Sequence, residues 1–345
     1  MSARRSWATG VGGLVDAAIL GAMRLRFDRK VPRPVEDRRA ALHDLIQFYQ
    51  QLGDGLFVEP RAADFGREER RGSLPGGGEI VDLAWPSGYV PAFEPIRASY
   101  LASSVNQRAC ARLFRHGDAA RNTVVLIHGY RSGQFYIEER AFPVRWLYGL
   151  GLDVALFTLP FHALRGEGRT PPWPSANPAR NNEGFGQAIY DLRALIKRLA
   201  PPKIAVAGMS LGGYTTALLA TVIPLDFACP IIPVASFPDL YWSHGEGRPE
   251  RVRAEREGIT LEMMRQAMAV HTPLERASRV ASDHMLVISA AGDRIAPPDH
   301  AERLAAHFGC EELRMPGGHV LQLGRGDAFR ALARKLARVG LIERR

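Results

Sequence analysis

Apolar runs and amphipathic segments alternate along the chain from about residue 120 onward. Residues 123–127 (TVVLI) and 154–159 (VALFTL) are almost continuously apolar, which is typical of parallel strands covered on both faces. Residues 186–199 have the spacing of an amphipathic helix. Further strands are predicted near residue 203 and at 228–234, 285–290 and 312–315, with a closing helix at 327–339. This alternation predicts an α/β fold built on a doubly wound, mostly parallel sheet.

The same pattern divides the chain near residue 95. Residues 1–95 are predicted to form an N-terminal extension that is largely helical, with a Gly-, Pro- and Arg-rich stretch at 67–78. Residues 96–345 are predicted to form the main α/β domain. About fifty residues separate two of its late strands, more than an ordinary connection needs, so residues 237–282 are predicted to be an inserted helical cap. Three cap methionines are expected to pack in the core, with an adaptable lining for an acyl chain as the alternative: Met263, Met264 and Met268.

The most specific motif is Gly208-Met209-Ser210-Leu211-Gly212, which lies between a predicted strand and a predicted apolar helix. A serine on such a tight turn has strained backbone angles, and a glycine two residues to either side lets strand and helix cross without Cβ clashes. This is the context of a nucleophile elbow. Ser210 is therefore the predicted nucleophile.

A serine hydroxyl needs a neighbouring base, and the base needs an acid that fixes its tautomer. Asp293 follows the predicted strand at 285–290, and His319 follows the one at 312–315, so Ser210, Asp293 and His319 are the predicted triad. The acid has two alternatives, Asp239 and Asp299. Rival histidines that also follow the serine include His271, His284, His300 and His307. A glycine pair places His319 on a loop, whereas His300 and His307 are predicted on a helix and His284 at the start of a strand.

Two backbone amides are candidate donors to the oxyanion that forms when the serine attacks a carbonyl group. The first is the N–H of Leu211, at the N-terminus of the predicted helix. The second is the N–H of Tyr130, in the loop after TVVLI. His128 in the same loop is expected to shape it rather than to transfer protons.

The segments VVLIHGY, VAGMSLGGY, ISAAGD and PGGH, spread over residues 120–325, resemble the α/β-hydrolase superfamily. The resemblance implies a serine-dependent hydrolase, usually an esterase, lipase or thioesterase, that acts on a small-molecule or lipid ester. Serine at the elbow disfavours epoxide and halide chemistry, since similar hydrolases of those types carry Asp there. The chain departs from many members at residues 160–165 (PFHALR), where they carry a glycine-rich turn, and no catalytic role is assigned to His162.

Other functions of the same scaffold stay open. The covalent intermediate of an esterase also serves an acyltransferase or a peptidase. A non-catalytic, membrane-associated interaction protein is the alternative outside enzymes.

Composition narrows the class of partner. The net charge is +9, yet 41 of the 45 basic residues are Arg, spread along the chain among Asp and Glu, so no nucleic-acid partner is expected. No glycine motif for a nucleotide is found, and neither a cofactor nor a metal is expected. The cysteines lie far apart, which disfavours a disulfide framework and a zinc cluster and indicates a cytoplasmic, reducing compartment: Cys110, Cys229 and Cys310.

Residues 1–30 combine an apolar stretch with flanking Arg residues. Asp16 and four glycines interrupt the stretch, which makes it a poor membrane-spanning segment. Two interpretations are equally supported: a helix that lies on an anionic membrane surface, and a helix that packs against the hydrolase body.

Overall fold

The computed structural model describes residues 2–27, 38–61, 67–117 and 119–343, and a single nine-stranded sheet runs through them. The strands are β1 (Arg67–Ser73), β2 (Glu79–Pro86), β3 (Arg108–Arg115), β4 (Thr123–Ile127), β5 (Asp153–Phe157), β6 (Ile204–Met209), β7 (Phe227–Ile231), β8 (Leu286–Ala290) and β9 (Glu311–Met315). Their order across the sheet is β1-β2-β3-β5-β4-β6-β7-β8-β9. The strands from β5 to β9 pair in parallel, whereas β1, β2, β3 and β5 pair antiparallel.

The helices lie between these strands and at the two ends of the described chain. They are α1 (Ser2–Phe27), α2 (Arg38–Leu52), α3 (Glu94–Leu101), α4 (Phe135–Ala141), α5 (Val144–Gly149), α6 (Pro178–Leu199), α7 (Leu211–Val222), α8 (Phe237–His244), α9 (Pro249–Arg256), α10 (Leu261–Met268), α11 (Pro298–Phe308) and α12 (Arg325–Arg338). None of the described helices combines the length and apolar character that a membrane crossing requires.

The central strands are buried on both faces because a hydrophobic core lies on each side of the sheet. Along β4, Val125 and Ile127 belong to one core, and Val124 and Leu126 belong to the other. The residues of β4, β5, β6, β7 and β8 are all buried. This double burial explains the unbroken apolar runs from which the parallel strands are predicted.

Residues 1–95, predicted as a largely helical extension, contain two strands besides the helices α1 and α2. Two strands of the common sheet, β1 and β2, lie inside that range, so a boundary at residue 95 does not separate two units. In β2 three buried side chains alternate with more exposed ones. The buried ones are Val81, Leu83 and Trp85. Alternation of this kind marks an antiparallel strand covered on one face. The edge strand β1 is mostly charged, which hides it from a search for apolar runs.

Residues 237–282 form a helical insertion between β7 and β8 that contains α8, α9 and α10. Met268 is buried in the main core, and Met263 and Met264 pack against that core. The methionines therefore take the expected packing role.

Candidate active site

The turn that carries Ser210 joins β6 to α7 at the carboxyl end of the central strands. Ser210 has φ 55° and ψ −112°, a left-handed conformation that is strained for a residue with a Cβ atom. A Cβ atom at Gly208 would overlap the Gly212 carbonyl, and one at Gly212 would overlap the Ile127 carbonyl. The two glycines thus permit the close crossing of strand and helix that the motif predicts, and this crossing presents the serine at the edge of the sheet.

The structure brings the three residues of the predicted triad together in one hydrogen-bonded chain. The Ser210 hydroxyl donates to His319 Nε2 at 2.8 Å, and His319 Nδ1 donates to Asp293 Oδ2 at 2.6 Å. In this arrangement Nδ1 carries the imidazole proton and Nε2 is free to accept one. The chain has the donor order of a serine–histidine–aspartate relay.

Asp293 and His319 lie on adjacent loops that follow adjacent parallel strands. We call residues 291–297, after β8, the Asp293 loop and residues 316–324, after β9, the His319 loop. The backbone N–H of Gly292 donates to the Gly317 carbonyl at 2.8 Å and so ties the loops together. The second carboxylate oxygen of Asp293 accepts from the N–H groups of Ile295 and Ala296, at 2.9 and 2.8 Å. These bonds fix the carboxylate plane that faces the imidazole.

Burial and two neighbouring carboxylates set the pKa of His319. Burial alone would lower it, but the charge of Asp293 and its hydrogen bond to Nδ1 stabilise the imidazolium, and Asp16 adds to this stabilisation. The net result is a pKa raised above the ordinary value of 6.5. A raised pKa means that the His319 ring holds a proton more readily than an unperturbed imidazole does.

The candidate oxyanion donors flank the serine. Leu211 is the first residue of α7, and the loop of Gly129 and Tyr130 lies against the elbow, with a Cβ built on Gly129 only 3.4 Å from Ser210 Cβ. Within the ranges that the structure describes, the amides of Tyr130 and Leu211 have no hydrogen-bond acceptor. Both donors are therefore free for an incoming oxygen atom.

His128 shapes the loop that carries Tyr130, as expected. Its Nδ1 donates to the Gly129 carbonyl at 2.7 Å, and its Nε2 accepts from the Leu159 amide at 3.0 Å, so both ring nitrogens are occupied. Burial lowers the pKa of His128 to about 4, which keeps the ring neutral. His162 is also buried, with its pKa lowered to about 3 mainly by burial, and donates from Nδ1 to the Pro160 carbonyl.

The alternative acids and bases lie outside the hydrogen-bonded chain of Ser210, His319 and Asp293. Asp239 forms ion pairs with Arg265 and Arg303, and Asp299 lies in the first turn of α11. The rival histidines bind elsewhere or precede a strand: His271 contacts the Tyr214 hydroxyl, His300 accepts from the Ala235 amide, His307 faces the Arg276 carbonyl, and His284 ends a short 3-10 turn before β8.

Asp16 belongs to the site, although in the sequence it only interrupts an apolar stretch. It is fully buried, and its carboxylate binds backbone amides in both the Asp293 loop and the His319 loop. The helix that carries it therefore packs against the main α/β domain. The sequence signal for Asp16 is a single acidic residue among small residues on a predicted helix. This signal does not identify its partners, because they lie about 280 to 300 positions away.

No cluster of metal-binding side chains is found among the described residues. A cavity of about 400 Å³ lies between α4, α5 and α12 and is lined by Arg140, Trp146, Arg325 and Phe329 among others, but by no triad residue. It is a different surface from the candidate active site.

Comparison with known proteins rests on the fold. No family model matches the sequence, and no curated protein matches it significantly. Acetyl xylan esterase from Paenibacillus sp. R4 has a TM-score of 0.55 at 15% identity, over 90% of this chain and 97% of that one. Acetyl xylan esterase 1 from Thermoanaerobacterium sp. JW/SL YS485 has a TM-score of 0.55 at 14% identity, over 92% and 98%.

A third similar structure is an acylaminoacyl peptidase from Pyrococcus horikoshii. Its TM-score is 0.50 at 12% identity, over 87% of this chain and 44% of that chain. Since identities this low show similarity of fold alone, they carry no information on the substrate. Together with the sheet order and the elbow, they establish that the chain has the fold of the α/β-hydrolase superfamily.

Proposed function

We propose that this protein is a serine hydrolase that cleaves carboxylic esters, lipid or thioesters included, through an acyl-enzyme intermediate. The observation that carries the proposal is the unbroken hydrogen-bonded chain from Ser210 through His319 to Asp293. A strained, glycine-flanked serine at the start of a helix supports the same proposal. The similar acetyl xylan esterases add that this fold accommodates ester hydrolysis in other proteins.

Acylation begins when Ser210 Oγ attacks the carbonyl carbon of the ester and its proton passes to His319 Nε2. Asp293 stabilises the imidazolium that results, and the amides of Tyr130 and Leu211 donate to the oxyanion. As the tetrahedral intermediate collapses, the C–O bond of the leaving alcohol breaks, and the alcohol takes the proton from Nε2. The acyl group stays on Oγ.

Deacylation repeats these steps with water. His319 Nε2 removes a proton from water as its oxygen attacks the acyl carbon, and the second tetrahedral intermediate releases the carboxylic acid. Ser210 Oγ recovers its proton from the imidazolium. No redox step and no cofactor take part in this cycle.

The test combines covalent labelling with turnover. Wild-type protein and the Ser210→Ala variant are treated with a fluorophosphonate probe and with p-nitrophenyl esters from acetate to palmitate. We expect the variant to lose labelling and to lose on the order of 10⁶-fold in kcat, because the nucleophile is gone. Ser99→Ala, at an exposed serine on α3, is the matched control and keeps both signals. Undiminished labelling of Ser210→Ala would overturn the proposal.

The alternative reactions share a serine-bound acyl intermediate and differ in how the acyl group arrives or departs. A peptidase forms the same intermediate from an amide, and an acyltransferase passes the acyl group to an alcohol instead of water. An acylaminoacyl peptidase of similar fold illustrates that amide chemistry occurs on this fold in another protein. Product analysis by mass spectrometry with ester and peptide substrates, with and without a competing alcohol, separates the three.

A peripheral membrane contact through residues 1–30 is a second proposal, and it can hold with or without catalysis. On α1 two large apolar side chains point outward, Trp7 at 68% and Leu14 at 69% exposure. These residues lie seven positions apart and so share one face of the helix. We expect wild-type protein to float with anionic phosphatidylserine vesicles and Trp7→Ser/Leu14→Ser protein to stay behind. Equal flotation of the two would contradict the contact.

A further inference from the structure

Helix α1 lies against the two loops that carry the histidine and the acid of the triad. Asp16 Oδ2 accepts from the His319 amide at 2.6 Å and from the Arg294 amide at 3.2 Å, while Oδ1 accepts from the Val320 amide at 3.1 Å. The three donors are the amide of the triad histidine itself and the amides that directly follow the triad residues. One buried carboxylate thus binds both loops at once.

The packing around this carboxylate leaves little room for displacement. A Cβ atom at Gly12 would overlap the backbone of Gly317 and Gly318, and one at Gly292 would overlap the Thr9 carbonyl. The helix therefore meets the loops backbone to backbone through glycine, which is the closest approach that two segments can make. This backbone contact fixes the distance of Asp16 from the two loops.

The orientation of an imidazole follows from the backbone that carries it. The Asp16 bond to the His319 amide fixes the peptide plane just before the histidine, and the bond to Val320 fixes the plane just after it. The bond to Arg294 does the same on the far side of Asp293. The bonds to Asp16 thus add to the Gly292–Gly317 hydrogen bond in holding the two loops in one arrangement.

We propose that Asp16 is a positioning residue for catalysis, because it holds the His319 loop and the Asp293 loop in the geometry in which His319 reaches Ser210. This inference rests on the proposed function. Asp16 touches no substrate atom; it acts through the backbone of the two loops and through its charge. The active site is therefore completed by α1, a helix outside the alternating strands and helices of the hydrolase core.

Two kinetic consequences distinguish positioning from simple support of the fold. Misplacement of the base lowers kcat with little effect on KM, because binding of the acyl group does not depend on the imidazole. Removing the Asp16 charge also lowers the pKa of His319, since Asp16 and Asp293 are the charged groups that stabilise its imidazolium. The acid limb of the kcat/KM profile then moves to lower pH.

The first experiment compares Asp16→Asn with Asp44→Asn, a matched control at an exposed position on α2. We expect Asp16→Asn to lose about 10²-fold in kcat with KM nearly unchanged, since small misplacements of catalytic groups have effects of this size. The acid limb of its profile lies below that of the wild type. Asp44→Asn matches the wild type in kcat, KM and pH profile.

The second experiment displaces the helix without changing any charge. Gly12→Ala introduces a methyl group into the backbone contact with Gly318, whereas Gly10→Ala places the same group where nothing lies within 4 Å. We expect Gly12→Ala to lower kcat and Gly10→Ala to leave it unchanged. This pair also covers the case in which Asp16→Asn fails to fold, which thermal unfolding would reveal.

A spectroscopic readout separates this inference from the proposed function. The His319 ring is titrated by ¹⁵N NMR in the wild type and in Asp16→Asn, with no substrate present. A lower pKa of His319 in the variant supports the inference. Wild-type titration together with wild-type kcat in both Asp16→Asn and Gly12→Ala would overturn it, while the proposed function would stand. Absence of Ser210-dependent labelling and turnover in the wild type would overturn the proposed function instead.

Discussion

Two buried carboxylates, Asp16 and Glu183, join residues 1–95 to the rest of the molecule. The first lies within residues 1–95, and the second lies outside them. Asp16 lies within residues 1–95 and accepts hydrogen bonds from backbone amides of the Asp293 and His319 loops. Glu183 lies on α6, outside residues 1–95, and accepts four hydrogen bonds from groups within them. The donors are the Tyr49 and Tyr89 hydroxyls and the Ala92 and Phe93 amides. Both acids are buried and both accept at least three hydrogen bonds.

The difference lies in where the donors stand. Every donor to Glu183 belongs to the scaffold, so its bonds hold α2 and the segment before α3 against α6. The donors to Asp16 are the amides of His319, of the residue after it and of the residue after Asp293, all beside the predicted triad. Burial and the number of hydrogen bonds therefore do not distinguish the proposed positioning role of Asp16 from the scaffold role of Glu183; the position of their partners does.

The largest effect is expected where Glu183 is removed. Glu183→Ala leaves four donors without an acceptor in the core, and each such donor costs about 1–3 kcal/mol, less where water enters the space. We expect a loss of about 4 kcal/mol in the free energy of unfolding, measured with urea, with kcat per folded molecule unchanged. Glu183→Gln keeps one acceptor oxygen and should lose less. A large drop in kcat for fully folded Glu183→Ala protein would contradict the difference between Glu183 and Asp16.

The ion pair of Arg165 and Asp191, on the same side of α6, gives the next effect. It is fully buried at 2.7 Å, and Ser87 donates to the other oxygen of Asp191. Arg165→Met strands a buried carboxylate and should cost about 3 kcal/mol of unfolding free energy. Arg165→Met/Asp191→Leu should recover much of this. If the double variant were no more stable than the single one, the stranded charge would not be the cause.

Acidification should distinguish His162, in the scaffold, from His319 at the site. The pKa of His162 is lowered from 6.5 to about 3, so the folded state binds its proton less readily than the unfolded state. Its contribution to stability is present above pH 6.5 and is lost as the pH falls toward 3, about 2 kcal/mol between pH 7 and 5. His319 has the opposite sign, because its pKa is raised: its contribution is present below pH 6.5 and is lost as the pH rises through the raised value.

The measurement is the urea unfolding of wild type and His162→Gln at pH 7 and pH 5. We expect the wild type to lose about 2 kcal/mol more than the variant over this interval. Equal losses would mean that His162 is not buried as a neutral ring.

The smallest effect tests whether the two carboxylates are independent. Asp16 and Glu183 share no hydrogen-bond donor. The stability changes of Asp16→Asn and Glu183→Gln should therefore add in the double variant to within about 0.5 kcal/mol. A larger coupling energy in the double-mutant cycle would show that residues 1–95 respond as one rigid body.

Local signals account for what the sequence predicts well. The parallel strands are short apolar runs, and the elbow is five consecutive residues, so each can be recognised without knowing its neighbours in space. The fold class is confirmed by the nine-stranded sheet and the similar structures. The catalytic roles of Ser210, Asp293 and His319 stay a prediction, although the three side chains lie in one hydrogen-bonded chain.

Long-range pairing accounts for what the sequence does not predict. The strands β1 and β2 carry alternating or charged residues, and their place in the sheet depends on β3 and β5. Asp16 and Glu183 look like ordinary helix residues until their partners are known, at separations of 303 and 134 positions for their hydrogen bonds with His319 and Tyr49. A pattern within one segment holds no record of such partners.

The bond between Asp16 and His319 has a consequence for the synthesis of the protein. The two residues are 303 positions apart, so α1 leaves the ribosome long before the loop that it binds has been translated. Until then Asp16 and the glycine residues of α1 lack the loops that they contact. The helix therefore stays unpacked or is covered by another molecule. The proposed hydrolase activity of a nascent chain should accordingly appear only after the His319 loop has emerged from the ribosome.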